Sequence, residues 1–174
     1  ADVEPLLAGV PEPAVADTSK PFDILVGGIG GTGVVTVGAL VGMAAHLEGK
    51  GVSTLDVTGL AQKNGPVTSH VRVADDPDAL FATRIAEGRA DLLLGCDIVV
   101  AGGADPLSKL SKDRSTAVVN THVAPTSDFA SHPDLDLSPH RMQAAVSASS
   151  QQAHFVDATR LATALLGGAL GANL

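Results

Sequence analysis

A cluster of glycines at positions 28 to 33 is the part of the sequence best suited to bind a ligand. It follows a short apolar run, precedes a stretch of helix-forming residues, and has the spacing Gly28-x-Gly30-x-x-Gly33. Glycine permits a positive φ and leaves no Cβ to keep an anion away from the backbone N–H groups. Those N–H groups and the positive end of the helix dipole favour a phosphate. The candidate ligand-binding residues here are Gly28, Gly30, Gly31, Thr32 and Gly33.

Two interpretations of this turn are open from the sequence alone. In a dinucleotide-binding fold, the glycines join the first strand to the first helix, and an acidic residue ending the second strand binds a ribose. Asp56 has the right position for that role, but it is equally typical of a turn or cap residue before Thr58 and Gly59. In the second interpretation, the glycines only let the first helix pack tightly against the sheet.

Composition and charge exclude several classes of function. The 174 residues are enough for one α/β domain with a core, and the net charge of −8 argues against a nucleic-acid-binding surface. No apolar run reaches the ~20 residues of a membrane span, and the acidic, proline-rich start is not a signal peptide. We therefore expect a cytoplasmic protein that binds neither nucleic acid nor membrane.

The single cysteine, Cys96, limits the cofactors that this chain can hold. An iron–sulfur cluster normally takes four cysteines, and the six histidines show no metal-ligand spacing. With no Trp or Tyr, stacking of a flavin or nucleobase between aromatic rings is hard to build. The sequence thus predicts no metal site and assigns no bound cofactor, and Cys96 is predicted to be a buried core thiol.

The order of apolar runs predicts an α/β fold: a Rossmann-like, three-layer, open and mostly parallel sheet in a single domain. Residues 1–20 are predicted to be a linker or N-terminal arm, and residues 21–174 the domain. Strands are predicted at 22–27, 52–56, 67–73, 80–84, 97–101, 115–120 and 155–156. Helices are predicted at 33–48, 91–95, from Asp105 as N-cap onward, at 139–149 and at 158–170.

The strand predicted at 67–73 alternates between apolar and polar residues, which is typical of a half-buried strand. This pattern puts His70 on a solvent-exposed face. The link before this strand is short and contains Gly65 and Pro66, so it leaves little room for the helix that a nicotinamide-binding domain has there.

Both the end of the strand at 115–120 and the end of the chain carry functional hints. Asn120, Thr121 and His122 follow that strand, where α/β sheets place ligands. The sequence after Arg160 has no charged residue, whereas a helix facing water shows a polar stripe. We expect the domain to be truncated at its C-terminus, inside an element or an interface.

Five motifs occur together in an order typical of one enzyme family. They are Gly28–Thr36, Gly49–Gly51, Leu60–Arg72, Ala90–Asp97 and Val118–His122. Together they resemble the gamma domain of the 2-oxoacid (pyruvate, ketoisovalerate or indolepyruvate) ferredoxin oxidoreductases, most of all the long fused form of indolepyruvate ferredoxin oxidoreductase.

The resemblance implies an enzyme that oxidatively decarboxylates indolepyruvate or a related 2-oxoacid to an acyl-CoA and reduces ferredoxin. Such an enzyme uses thiamine diphosphate, magnesium, iron–sulfur clusters and CoA. This chain has too few cysteines for a cluster and lacks the Gly-Asp-Gly motif that binds thiamine diphosphate with magnesium. The resemblance therefore implies a non-catalytic domain, inactive alone, that supports or caps the active site and contacts other domains or subunits of the enzyme.

The same resemblance implies that the glycine turn, with Gln62 and Lys63, contacts CoA, substrate or a partner domain. No catalytic residue is assigned. Two alternatives stay open: a free-standing NAD- or FAD-binding protein with Gly28, Gly30, Gly33 and Asp56 as its site, and a scaffold domain that binds no ligand.

Overall fold

A computed structural model describes residues 10–59, 65–124 and 138–173. Residues 10–21 contain no helix or strand, and their one buried residue, Thr18, is tied to the domain. The Thr18 carbonyl accepts the Asp75 N–H at 2.8 Å, and Lys50 Nζ donates to both the Thr18 hydroxyl and the Asp75 carboxylate. The domain boundary at residue 20 stays a prediction.

Strands and helices alternate along most of the described chain. The strands are β1 Phe22–Ile29, β2 Gly51–Thr58, β3 Pro66–Ala74, β4 Leu92–Gly95, β5 Thr116–Asn120 and β6 Gln152–Val156. The helices are α1 Val34–Leu47, α2 Ile98–Ala101, α3 Ala104–Lys109, α4 Pro139–Ser149 and α5 Ala158–Leu166. Two 3₁₀ turns lie at Pro77–Ala79 and Ala169–Gly171.

These strands form one sheet with the order β2-β3-β1-β4-β5-β6. Strands β1, β4, β5 and β6 are parallel to one another, whereas β3 is antiparallel to both β1 and β2. Strands β2 and β3 lie on one side of β1, and the later strands β4, β5 and β6 lie on the other side. The strand order therefore reverses between β1 and β4, which is the topological switch point. The predicted fold class, a Rossmann-like α/β sheet that is mostly parallel, is confirmed.

The core lies on both faces of the sheet because successive side chains of β1 point to opposite sides. Ile24 and Val26 pack with Val34 of α1 on one face, whereas Leu25 packs with Ile98 of α2 on the other. Each fully buried Leu, Ile or Val contributes about 1.5–3 kcal/mol. The two apolar layers therefore fix α1 and α2 at the same end of the sheet but on opposite faces.

Helix α1 lies close to the sheet because glycines face it. A Cβ at Gly38 would lie 2.2 Å from the Ser69 Oγ, and one at Gly42 would lie 3.0 Å from Thr54 Cγ2. This close contact holds α1 in place against β3 and β2.

The secondary structure predicted between residues 91 and 101 was inverted. Residues 91–95 form strand β4 rather than a helix, and residues 97–101 form helix α2 rather than a strand. Asp97 explains the helix, since its Oδ1 accepts the Val100 N–H at 2.8 Å as an N-cap. Gly95 explains the strand: a Cβ there would lie 2.8 Å from both Ala101 Cβ and Val119 Cγ1, so β4 approaches α2 and β5 closely.

Three smaller predictions also need correction. Residues 80–84 form no strand, and α3 begins at Ala104 with Gly103 as N-cap, so Asp105 lies in its first turn. The last helix ends at Leu166, where Gly167 adopts a φ of 75°.

The solvent-exposed position predicted for His70 is wrong. Strand β3 lies between β1 and β2, and the chain after it covers its second face, so His70 is fully buried. Its neighbour Arg72 is partly buried and pairs with Asp23 of β1 at 2.7 Å. The alternation of apolar and polar residues showed which residues share a face of the strand, but it could not show that both faces are covered.

Candidate functional site

The glycine turn occupies residues 30–33 and connects β1 directly to α1. Gly31 and Gly33 have φ values of 96° and 90°, in the left-handed region that glycine tolerates best. The Thr32 N–H and hydroxyl both donate to the Ile29 carbonyl, at 3.0 and 2.7 Å, and so tighten the turn. Positive φ, required at Gly31 and Gly33, is the reason for two of the glycines in the motif.

The other two glycines of the predicted motif have different roles. Gly28 lies inside β1, and a Cβ there would lie 2.7 Å from both Cys96 Cβ and Thr32 Oγ1. Gly30 does not have positive φ, and its N–H donates to the Gly65 carbonyl at 2.9 Å. All five candidate residues are thus adjacent in space, but only close packing explains Gly28, and no steric requirement explains Gly30.

Helix α1 begins without a side-chain cap. Gly33 occupies the N-cap position, and the first helical bond runs from the Val37 N–H to the Gly33 carbonyl at 2.8 Å. The N–H groups of the first turn therefore have no acceptor within the helix. Together with the helix dipole, they favour an anion at this position.

A cleft of about 480 Å³ opens beside this helix start, at the carboxyl ends of β1, β4 and β5. Open α/β sheets place ligands in this crevice, at the topological switch point. Its lining is mostly small and uncharged: Gly31, Thr32, Gly33, Thr36, Cys96, His122, Thr159, Ala169, Ala172 and Asn173. The hydroxyls and the imidazole offer hydrogen bonds to a phosphate or carboxylate, but no Phe, Tyr or Trp is among the lining residues to stack a base.

Asn120, at the end of β5, connects three parts of the cleft wall. Its side-chain N–H groups donate to Thr159 Oγ1 at 3.0 Å and to Asn173 Oδ1 at 3.1 Å. Asn173 in turn donates to the Thr32 carbonyl at 3.1 Å. Asn120 therefore positions the wall of the cleft, and the sequence had placed it correctly at the end of this strand.

The end of β4 carries Cys96 and Asp97, which lie under the cleft. Burial raises the pKa of the Cys96 thiol to about 11, and the neighbouring Asp97 carboxylate acts in the same direction. Burial also raises the pKa of Asp97, although hydrogen bonds from the N–H groups of Val100 and Ile29 oppose that effect. At neutral pH Cys96 is a protonated, inert thiol, which agrees with its predicted place in the core.

Asp56 is separated from the glycine turn. Strand β3 lies between β2 and β1, so two strand spacings, about 9–10 Å, separate the backbone of Asp56 from β1. A ribose bound at the glycine turn of a dinucleotide-binding fold needs its acidic partner on the adjacent strand. The structure does not bring Asp56 and the glycines into one site.

Gln62 and Lys63 lie outside the described residues. Gly65, the first described residue after them, contacts Gly30 through the hydrogen bond given above.

Three polar residues that line the cleft were not predicted from the sequence: Thr36, Thr159 and Asn173. Thr36 could have been found, because it lies one helical turn beyond Gly33. Thr159 and Asn173 reach the cleft from more than 120 residues away in sequence, and no local pattern marks them.

Two kinds of site are absent from the part of the chain that the structure describes. No group of three or more His, Cys, Asp or Glu side chains is arranged to hold a metal ion. No helix there has the length and apolar character needed to cross a membrane.

Sequence comparison identifies a family whose model spans nearly the whole chain, and curated relatives that match part of it. The family model described as pyruvate ferredoxin/flavodoxin oxidoreductase matches residues 23–174. The indolepyruvate oxidoreductase subunit IorB of Pyrococcus horikoshii is 35% identical over 82 residues, which are 47% of this chain and 39% of that subunit. IorB of Archaeoglobus fulgidus is 31% identical over 119 residues, 66% of this chain and 56% of the relative. The chain thus spans about half the length of the curated relatives it matches, or less.

Solved structures share the fold at low sequence identity. Pyruvate oxidoreductase subunit PORC of Thermotoga maritima superposes with a TM-score of 0.58 at 20% identity, over 88% of this chain and 71% of that one. A keto/oxoacid ferredoxin oxidoreductase gamma subunit of Geobacter sulfurreducens gives 0.53 at 18% identity, over 87% and 70% of the two chains. A 2-oxoglutarate:ferredoxin oxidoreductase of Magnetococcus marinus, solved with 2-oxoglutarate, coenzyme A and succinyl-CoA bound, gives 0.58 at 18% identity, over 88% and 23%.

The family match covers every element from β1 to the last 3₁₀ turn, and the solved gamma subunit shares their arrangement. On this evidence the chain belongs to the pyruvate ferredoxin/flavodoxin oxidoreductase family, and its fold is that of the family's gamma subunits.

Proposed function

We propose that this chain is the non-catalytic gamma part of a thiamine-dependent 2-oxoacid:ferredoxin oxidoreductase acting on indolepyruvate or a related 2-oxoacid. It supports or caps the active site, and its partners are the other domains or subunits of that enzyme, through which ferredoxin is reduced. The whole enzyme works in the cytoplasm and uses thiamine diphosphate, magnesium, iron–sulfur clusters and CoA.

One observation carries this proposal: the family match spans residues 23–174, yet the chain has a single, buried cysteine. Its residues do not fit an iron–sulfur cluster, which needs more thiolates than one chain with one cysteine supplies. They also do not fit a magnesium-bound diphosphate, since the described residues hold no cluster of carboxylates at the cleft. The redox and thiamine chemistry therefore belongs to other parts of the enzyme.

The residues of the glycine turn do fit a phosphate group, such as those of CoA. The start of α1 has no side-chain cap, and the Thr32 and Thr36 side chains line the adjacent cleft. CoA brings a thiol that accepts an acyl group, and this chain's residues would only bind and orient its phosphates. The CoA-bound relative from Magnetococcus marinus supports CoA as the ligand of such an enzyme.

The free-standing NAD- or FAD-binding alternative is less well supported. Asp56 lies away from the glycine turn, and no Phe, Tyr or Trp is among the residues that line the cleft. We expect no saturable NAD binding to the chain in calorimetry up to millimolar concentration. Micromolar affinity that is lost in Asp56→Ala would favour the alternative.

Reconstitution tests the proposal. A tagged form of this chain should copurify with the co-expressed remaining subunits, and the complex should reduce ferredoxin with indolepyruvate and CoA. The purified chain alone should show no turnover even with thiamine diphosphate, magnesium and CoA. Turnover by the chain alone, or full activity of the other subunits without it, would overturn the proposal.

The CoA contact has its own test in the assembled enzyme. Removing one hydrogen bond to a charged phosphate costs about 1.5–3 kcal/mol, so Thr36→Val should raise the KM for CoA about tenfold or more. Thr83→Val, at an exposed position outside the lining of the cleft, is the matched control and should leave the KM unchanged. An unchanged KM in both variants would remove CoA binding from this turn without affecting the gamma assignment.

A further inference from the structure

His70 is a buried titratable side chain that the proposed function does not use. It lies on β3, opposite Leu25 of β1 and Leu55 of β2, and is fully buried. It faces away from α1 and therefore lies on the opposite side of the sheet from the helix that starts at the glycine turn. A histidine in such an apolar setting needs a structural or regulatory reason.

The imidazole holds the segment that follows the first 3₁₀ turn. His70 Nδ1 accepts the N–H of Ile85 at 3.2 Å, which requires the neutral ring with its proton on Nε2. That Nε2 is buried and has no hydrogen-bond partner among the described residues. Two residues further along β3, Arg72 donates to the Ala82 carbonyl at 2.6 Å. Adjacent side chains on one face of β3 thus fasten residues 80–90, which we call the latch loop, to the sheet.

The latch loop contributes to the core through Ile85, which is almost fully buried with Leu25 and Leu93. Its next anchors are backbone bonds near its end, from Gly88 to Ser108 and from Ala90 to Lys109. Between the anchors at Ala82 and Gly88, the hydrogen bond to His70 holds the backbone of the loop at Ile85.

Charges from three elements face His70. Arg84 of the latch loop, Asp105 and Lys109 of α3, and Asp23 of β1 all act on it. Asp105 is already shared, since Arg84 and Lys109 lie 3.7 and 3.6 Å from its Oδ1, and Asp23 pairs with Arg72. Burial lowers the pKa of His70, Arg84 and Lys109 lower it further, and the two carboxylates oppose them without reversing the direction.

We propose that neutral His70 is an acid-sensitive latch: a proton bound at Nδ1 removes the acceptor of the Ile85 N–H and releases the latch loop. A protonated ring donates at both nitrogens, so it faces the Ile85 N–H as a second donor. The buried imidazolium regains hydration only when the loop moves away. Ile85 then leaves the core and becomes exposed, while the glycine turn keeps its structure.

The direction of the pH effect follows from linkage. Because the pKa of His70 is lower in the folded chain, the unfolded chain binds more protons below about pH 6.5. Stability from this group is present above that pH and is lost as the pH falls through the folded pKa. The loss should appear first as local opening of the latch loop.

Amide hydrogen exchange of the chain by NMR, from pH 7.5 to 5.0 and corrected for intrinsic rates, tests the latch. Protection of the Ile85 amide should fall at least tenfold at the acidic end. The Cys96 amide, which donates to the Gly27 carbonyl at 2.7 Å, is the internal reference and should keep its protection. In His70→Asn, the amide oxygen takes the place of Nδ1 without titrating, so Ile85 protection should become independent of pH.

Equal loss of protection at Ile85 and Cys96 would overturn the latch, as would an unchanged acid response in His70→Asn. Should that variant fail to fold, the unsubstituted chain decides the question. Ile85 protection must then fall as the pH drops from about 6.5 towards the folded pKa of His70, read from its ring shifts in NMR, and a fall confined to pH values outside this range would overturn the proposal. Neither result bears on CoA binding or on the gamma assignment.

Discussion

Two helices start at the switch point of the sheet, on opposite faces, and they differ in whether a side chain caps the N–H groups of the first turn. Helix α2 begins at Asp97, whose carboxylate accepts the N–H of Val100 at 2.8 Å. Helix α1 begins at Gly33, where no side chain caps the first turn. The chain supplies its own anion to one helix start and leaves the other facing a cleft.

The two starts are also mechanically linked. The second oxygen of Asp97 accepts the N–H of Ile29 at 2.7 Å, so the cap of α2 also fixes the last residue of β1 before the glycine turn. The position of the uncapped start of α1 therefore depends on the capped start of α2. An anionic ligand at α1 is the proposal made above, and the missing side-chain cap at Gly33 supports it.

The largest effect should come from Asp97→Ala, which removes the carboxylate that joins the end of β1 to the start of α2. Two buried N–H groups would lose their acceptor, at about 1–3 kcal/mol each, so the free energy of unfolding should fall by roughly 2–5 kcal/mol. Urea unfolding at pH 7 measures it. Asp113→Ala, at an exposed turn, is the control and should change stability by less than about 0.5 kcal/mol. A loss below about 1 kcal/mol for Asp97→Ala would mean that the two helix starts are independent.

The next effect is the pH dependence carried by Cys96, which lies between the two turns. Because burial raises the pKa of the thiol from 9.0 to about 11, the folded chain keeps its proton longer than the unfolded chain. Stability from this group is intact below about pH 9 and is lost as the pH rises towards 11, by up to about 3 kcal/mol. Urea unfolding between pH 8 and 10.5 should show this slope, and Cys96→Ala should reduce it. An unchanged slope in Cys96→Ala would assign the effect to other groups.

Among the glycines of the turn motif, Gly28→Ala should be the most harmful change. The new Cβ would lie 2.7 Å from Cys96 Cβ and from Thr32 Oγ1, so either β1 or the turn must shift. Forcing an extra methyl group into a packed site costs about 1–3 kcal/mol, which for a chain of this size lowers the Tm by several degrees. Calorimetry measures the shift. An unchanged Tm would show that β4 and the turn are not in tight contact.

Gly33→Ala should cost less, because only backbone conformation is at stake. No atom lies within 4 Å of the new Cβ, but the φ of 90° disfavours an L side chain by about 1–2 kcal/mol. Gly33→Asn is the informative control, since Asn tolerates the left-handed region better and should recover part of the loss. Equal losses in the two variants would point to a clash rather than to strain.

The local order of strand, turn and helix around these glycines could be predicted from the sequence, because it depends on residues that are neighbours in the chain. The strand at 115–120 and the helix at 139–149 were also predicted correctly, for the same reason. The location of the cleft at the end of β5 could be predicted because α/β sheets open a crevice where their parallel strands end, and Asn120 ends this strand.

Features that depend on distant contacts could not be predicted. The β-branched residues 98–100 favour a strand, but the Asp97 cap and the contacts of Gly95 with Val119 impose a helix there. His70 alternates like an exposed residue and is buried because the antiparallel β3 inserts beside β1. The bond from Asn173 to Thr32 spans 141 residues, so no local pattern could indicate it.

The smallest effect should come from Gly30→Ala, although the sequence motif makes this position as prominent as the others. Its φ is not positive, and a new Cβ would make only ordinary contacts, 3.6 Å from the Gly65 carbonyl and 3.7 Å from Val67 Cγ2. We expect a change in the free energy of unfolding below about 0.5 kcal/mol. The Cβ would point towards Gly65 and Val67 rather than into the cleft beside Thr36, so the KM for CoA of the assembled enzyme should also stay within about threefold. A large loss of stability would mean that all glycines of the motif serve packing. A raised KM with normal stability would instead extend the anion-binding surface of α1 to the Gly65 side of the turn.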